Sequence, residues 1–218
     1  MRSLKFFLSR SSLEKMYISF VRPIIEYSNV VWDNCSNFLK IEIELIHHEA
    51  ARIVSGATKL CNINKLLNDL KWDSLEKRRQ NHKLILFYKM QNNLTPSYLT
   101  DLLPSNNAVG AYNLRNTRSV NARTESYRSS FLPSTIRAWN ALPQPTRESS
   151  SIAIFKHRLN INLGKPSTLF NIVSRRGQIL HTRLRLDCSS LNYDLHRKSI
   201  IKSPRCTCGE SESYNTFC

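Results

Sequence analysis

Apolar positions recur at helical spacing through the first half of the chain. Leu13, Met16, Tyr17, Phe20, Val21 and Ile24 follow one another at three- and four-residue steps and predict one buried helical face. Ser11-x-x-Glu14 ahead of them has the form of a capping box, and Pro23 predicts a kink or the end of the regular helix. Leu39, Ile43, Ile46, Ala50 and Ile53 mark a second helix stopped near Gly56, and Ile63, Leu66, Leu67 and Leu70 a short third. Asp73-x-x-Glu76 opens a fourth that carries Leu75, Ile85, Leu86 and Met90, followed by a turn at Thr95-Pro96.

The pattern changes near Ser105. Residues 105–130 are rich in Asn, Ser, Thr and Arg, and read as a long loop with short strands around Tyr112–Leu114 and Arg118–Ala122. Helical signals return at Pro133–Leu142 and at Ser151, where Ile152, Phe155 and Leu159 share a face. The stretch Arg175–Arg185 predicts a helix on which Leu180 and Leu184 form an apolar sector. Arg176 with Arg183, and His181 with Arg185, form basic sectors beside it. The expected fold is mainly α. It comprises a helical segment at 1–104, a polar connector with short strands at 105–130, a basic helical region at 131–205 and a Cys-rich end at 206–218.

Charge sharpens this picture. Thirty-two Lys and Arg stand against sixteen Asp and Glu in 218 residues, a formal net charge of +16. The excess is uneven: residues 31–70 are net −1, whereas 112–147 and 171–205 are net +5 and +6. Such a balance favours a polyanionic partner, because cations that neutralise phosphates release condensed counterions; a merely soluble basic protein is the plainer alternative. No run approaches the roughly 18 apolar residues that span a bilayer, so no membrane association is expected. The five glycines are scattered, which excludes G-x-x-x-x-G-K and G-x-G-x-x-G phosphate loops. The cysteines do not form an evenly stapled secreted scaffold, so nucleus or cytoplasm is the expected compartment.

Candidate catalytic chemistry is sparse. The six aspartates are dispersed, so a two-metal carboxylate site is not expected. His47-His48-Glu49 lacks the spacing that sets two imidazoles on one helical face, and reads as structural. Cys35 and Cys61 read as core thiols. Cys206 and Cys208, two apart beside Gly209, together with Cys218, could hold Zn²⁺ with an unassigned fourth ligand; no other cofactor is expected.

Longer motifs add a resemblance. Tyr17-Ile18-Ser19-Phe20-Val21-Arg22-Pro23-Ile24-Ile25-Glu26-Tyr27, then Val31-Trp32, Trp72, Arg78-Arg79, Phe87-Tyr88-Lys89 and Pro96-Ser97-Tyr98-Leu99 come in order. They are followed by Tyr112-Asn113-Leu114-Arg115, Phe131-Leu132-Pro133, Trp139-Asn140-Ala141-Leu142-Pro143, His181-Thr182-Arg183-Leu184-Arg185 and Cys206-x-Cys208-Gly209. This series resembles the region after the polymerase palm in non-LTR (LINE-type, jockey-like) retrotransposon reverse transcriptases. The resemblance implies a thumb gripping template and primer, then a basic region and a zinc knuckle contacting RNA. The paired palm aspartates and the endonuclease are missing, and Thr216 stands about where the knuckle's His belongs. The chain is therefore expected to be a non-catalytic part of an RNA-directed DNA polymerase. RNA and DNA are the expected partners, with the upstream polymerase portion as another. The nominated contacts are Arg78, Arg79, Arg115, Arg118, Arg123, Arg175, Arg176, His181, Arg183 and Arg185. The alternative is a helical protein-interaction module docking on a partner or on the missing palm.

Overall fold

A computed structural model describes residues 1–104, 121–159, 174–206 and 211. The fold is mainly helical: α1 (Arg10–Met16), α2 (Arg22–Glu26), α3 (Asn29–Trp32), α4 (Asn37–Ser55), α5 (Ile63–Leu70), α6 (Leu75–Gln91), α7 (Ser97–Thr100), α8 (Glu125–Ser129), α9 (Phe131–Asn140), α10 (Gln144–Arg147), α11 (Ile152–Arg158), α12 (Arg175–Arg185) and α13 (Asn192–Arg197). The strands expected around Tyr112–Leu114 and Arg118–Ala122 fall almost wholly outside the described residues, and Asn121–Ala122 are not in a strand. None of the described helices is long and apolar enough to cross a membrane. Two compact units interleave along the chain. The first takes Met1–Ile25, Glu44–Ser74 and Asn162–Cys218; the second takes Glu26–Ile43 and Leu75–Ile161.

The first unit buries Leu13, Tyr17, Ala51, Val54, Leu66, Leu70, Trp72 and Cys188 in one cluster. Its opening helix begins earlier than the capping box suggests. Ser9, not Ser11, caps α1, its Oγ accepting the Ser12 amide at 3.2 Å. Glu14 does not reach back to the helix start. It is buried and accepts the Trp72 indole N–H at 3.0 Å, while Trp72 stacks on Tyr17.

Pro23 exerts its effect upstream. Tyr17–Val21 form one π-helical turn, closed by the Arg22 amide on the Tyr17 carbonyl, just where the proline ring would crowd the carbonyl of Ser19. A five-residue turn shifts the helical face. Leu13 and Tyr17 enter the core as expected, but Phe20 and Ile24 emerge 70% and 78% exposed.

Helix α4 buries Ala50, Ala51, Ile53 and Val54 near its C-terminus, while Leu39 and Ile46 stay exposed. Gly56 ends it at φ +80°, with its amide on the Arg52 carbonyl. Helix α5 follows the expected pattern. Asn62 caps it, and Lys71 closes it in the left-handed region, the Lys71 and Trp72 amides reaching the carbonyls of Asn68 and Leu67.

Helix α12 spans the expected residues, capped by Ser174. Its buried face is different: Gln178, Ile179 and Thr182 pack inward, and Leu180 is exposed. Gly56 accounts for the register. Ile179 fills the space a side chain would need there: a Cβ on Gly56 would lie 2.4 Å from Ile179 Cγ1. Gly56→Ala is therefore expected to destabilise the protein by about 2 kcal/mol or more, from left-handed strain plus the clash. Gly177→Ala, in the first turn of α12, is expected to stabilise it by about 0.4–1 kcal/mol. Urea denaturation of the two variants reads the opposite signs.

The second unit is built on α6. Leu84, Phe87 and Tyr88 pack with Ile136 and Trp139 of α9 and Phe155 of α11. Tyr88 stacks on Phe155 at 4.5 Å and donates its hydroxyl to the Ser149 carbonyl at 2.7 Å. The helix expected at Ser151 forms, its Oγ accepting the Ile154 amide.

Candidate nucleic-acid interface

The nominated arginines separate into two groups. In the second unit, Arg78 pairs through two nitrogens with Glu26, the Nη2–Oε2 contact being 2.9 Å. Arg79 is buried, donates Nε to Asp33 Oδ1 at 3.0 Å and lies over the Trp32 ring. Asp33 also receives Lys83 Nζ, with Lys40 Nζ at 3.8 Å. One buried carboxylate thus gathers three cations. Asp33 ties α6 to the segment before α4.

In the first unit, Arg175 spreads its guanidinium over three backbone carbonyls. Nε bonds Lys5, Nη1 bonds Val54 and Nη2 bonds Ile53, each within 2.9 Å. Burial and the nearby Arg10 charge lower its pKa to about 10, so the cation persists at neutral pH. Arg183 donates Nε to the Gly56 carbonyl at 2.9 Å, and Arg185 pairs with Asp69. Arg175 and Arg183 complete the C-terminal end of α4, where carbonyls lack amide partners and the helix dipole favours cations. Arg123, Arg176 and His181 lie on the surface. Arg115 and Arg118 are outside the described residues.

The arrangement brings together residues that the sequence did not single out. Lys5, Arg52 and Lys59 join Arg175 and Arg183 around a pocket of about 230 Å³ at the C-terminal end of α4. Among the described residues Glu49 is the one acid in its lining, approached by Arg2 at 3.2 Å and Arg52 at 3.9 Å. Arg52 Nε is buried with no hydrogen-bond partner among the described residues. No local motif in the sequence marks this grouping.

His47 is structural, as its spacing suggested. Nδ1 meets the Tyr17 hydroxyl at 2.6 Å and Nε2 the Asp73 carbonyl at 3.2 Å. Beside it, His48 lies 3.7 Å from Glu44, and burial lowers its pKa. Cys61 is buried, as expected of a core thiol, but it has a partner: its S–H bonds Cys188, which raises the Cys61 pKa and lowers that of Cys188 to about 6. Of the nominated zinc ligands, Cys206 is disulfide-bonded, and Cys208 and Cys218 lie outside the described residues. Among the described residues no group of three or more His, Cys, Asp or Glu is placed to share an ion.

No family model matches the chain, and neither a curated protein nor a solved structure similar to it was found.

Proposed function

We propose that the chain is a non-catalytic, post-palm portion of a non-LTR retrotransposon reverse transcriptase, and that it binds template RNA or DNA through its basic surface. The observation that carries this reading is how three partly exposed arginines are satisfied, whereas the buried Arg79 and its neighbour Arg78 pair with carboxylates. Arg175 and Arg183 are bonded to carbonyl oxygens rather than carboxylates, as is Arg137, which reaches Pro133 and Arg128. A carbonyl satisfies the donors without cancelling the charge. The formal excess of +16 already counts every carboxylate, and the arginines held on carbonyls keep their charge free of an adjacent acid, where it can act on a polyanion. The aspartates favour the non-catalytic part of the reading: Asp33, Asp69 and Asp187 each face a cation instead of converging on one another.

Binding of this kind is led by charge and shape, since nothing in the chain reads as a base-recognition module. If about six phosphates of a single strand are neutralised, log K should fall against log salt with a slope near −4. Fluorescence anisotropy with a labelled RNA oligonucleotide across a salt series measures it. A salt-independent affinity, or no binding at low salt, rejects the reading.

A second reading draws on a different observation. Phe38 and Ile41 form an exposed apolar pair on α4, three residues apart. Exposed apolar surface of this kind marks protein contacts, and the upstream polymerase portion of the same element is the proposed occupant. Co-purification with that portion, lost on Phe38→Ser with Ile41→Ser, distinguishes it from nucleic-acid binding, which those changes should leave intact.

A further inference from the structure

We propose that the pocket at the C-terminal end of α4 holds a phosphate of a single-stranded polynucleotide, with the Phe6 ring receiving an adjacent base. The inference rests on the nucleic-acid reading above and assigns that activity a place. Among the described residues five cationic side chains and one carboxylate line the pocket, and the carboxylate, Glu49, is already countered by Arg2 and Arg52.

The donors are disposed for an anion with several oxygens. Arg175 is committed to the α4 carbonyls and contributes charge. Among the described residues Arg183 uses only Nε, on Gly56, which leaves its two Nη groups as a fork. Arg52, whose Nε is buried without a hydrogen-bond partner among those residues, lines the pocket and adds its charge. Lys5 and Lys59 add two ammonium groups to the lining. At about 30 Å³ per water, 230 Å³ is the room of roughly seven waters, enough for a phosphate with part of its hydration shell.

Two features favour a single strand over a duplex. Phe6 lines the pocket, is 62% exposed and is held beside a cation, Lys5 Nζ lying 4.7 Å from the ring centroid. Such a ring is a stacking platform, and only an unpaired base can be laid on it. The wall also continues through Glu49 and Ile53 into an apolar groove of about 360 Å³ bounded by Val21, Leu45 and Ile46, where a ribose or a second base has apolar cover.

The test uses the full chain, a labelled single-stranded RNA of about 12 nucleotides and inorganic phosphate as a separate probe. Lys5→Ala with Lys59→Ala removes two charges without touching the structural bonds, because Lys5 bonds Arg175 through its backbone carbonyl. This double variant should weaken RNA binding about tenfold near 100 mM salt and reduce the salt slope by about one. Phe6→Leu should weaken binding about fivefold or more with the slope unchanged, as loss of a stacked base requires. Lys15→Ala with Lys202→Ala, exposed residues outside the pocket, should change affinity less than twofold. Equal losses from the two double variants would overturn the site while leaving charge-led binding intact. Wild-type protein that binds no RNA would defeat both the site and the broader reading. Thermal stabilisation by phosphate, abolished in Lys5→Ala with Lys59→Ala but unaccompanied by RNA binding, would show a free-anion pocket and overturn the polynucleotide assignment.

Discussion

Asp33→Ala is expected to destabilise the second unit by about 3–5 kcal/mol, the cost of leaving buried charges without their counterion. Asp33 is 8% exposed, and Arg79 and Lys83, which bond it, are each 3% exposed. Removing the carboxylate strands both cations beneath the surface, with the Trp32 ring 5.7 Å from the Arg79 guanidinium. Asp33→Asn should cost less, since one amide oxygen still accepts one of the two donors. The diagnostic variant removes the whole network: Asp33→Leu with Arg79→Met and Lys83→Met should recover most of the lost stability, because the desolvation cost disappears with the charges. Chemical denaturation monitored by the fluorescence of a Trp72→Phe background follows this unit, since Trp139 lies in its core and Trp72 in that of the first unit. A single Asp33→Ala change costing under about 1 kcal/mol would mean that the cations find water, and that the network does not hold the unit together.

Arg175→Ala should be the corresponding lesion in the first unit, at about 3 kcal/mol. Hydrogen bonds from a charged donor are worth roughly 1.5–3 kcal/mol each. Arg175 makes three to half-buried carbonyls, two of them at the end of α4. Part of the loss is recovered as water reaches the freed carbonyls, so the sum is not reached. Arg175→Lys should rescue less than half, since one ammonium cannot span carbonyls on two segments. Its sequence neighbour provides the control. Arg176→Ala removes the same charge from an exposed position and should alter stability by less than about 0.5 kcal/mol. Two adjacent arginines, indistinguishable by composition, should thus separate cleanly in a urea melt. Equal effects would contradict the role given to Arg175.

That pair also shows where sequence reading stops. Helix positions were legible because periodic apolar residues and local caps specify them: α5, α11 and α12 lie where their patterns placed them. Helix faces were less so. The π turn at Tyr17–Val21 rotated Phe20 and Ile24 outward, and Ile179 rather than Leu180 turned inward because Gly56 offers it a space. Three serines close together, at 9, 11 and 12, made the cap ambiguous by two residues. The arginines were the least legible. A guanidinium that finds a carbonyl more than a hundred residues away, as Arg175 and Arg183 do, leaves no local trace, and a basic helix reads alike whether it faces solvent or closes another helix. The pocket at α4 was hidden for the same reason: Lys5, Arg52, Lys59 and Arg183 are brought together only by the fold.

The central claim is that charge left uncompensated by carbonyl-bonded arginines grips a polyanion. Its most direct test is the affinity of the wild-type chain for single-stranded RNA measured from 50 to 200 mM salt. The account predicts tight binding at the low end and a log–log slope near −4. A flat line, or no complex at 50 mM, would contradict it.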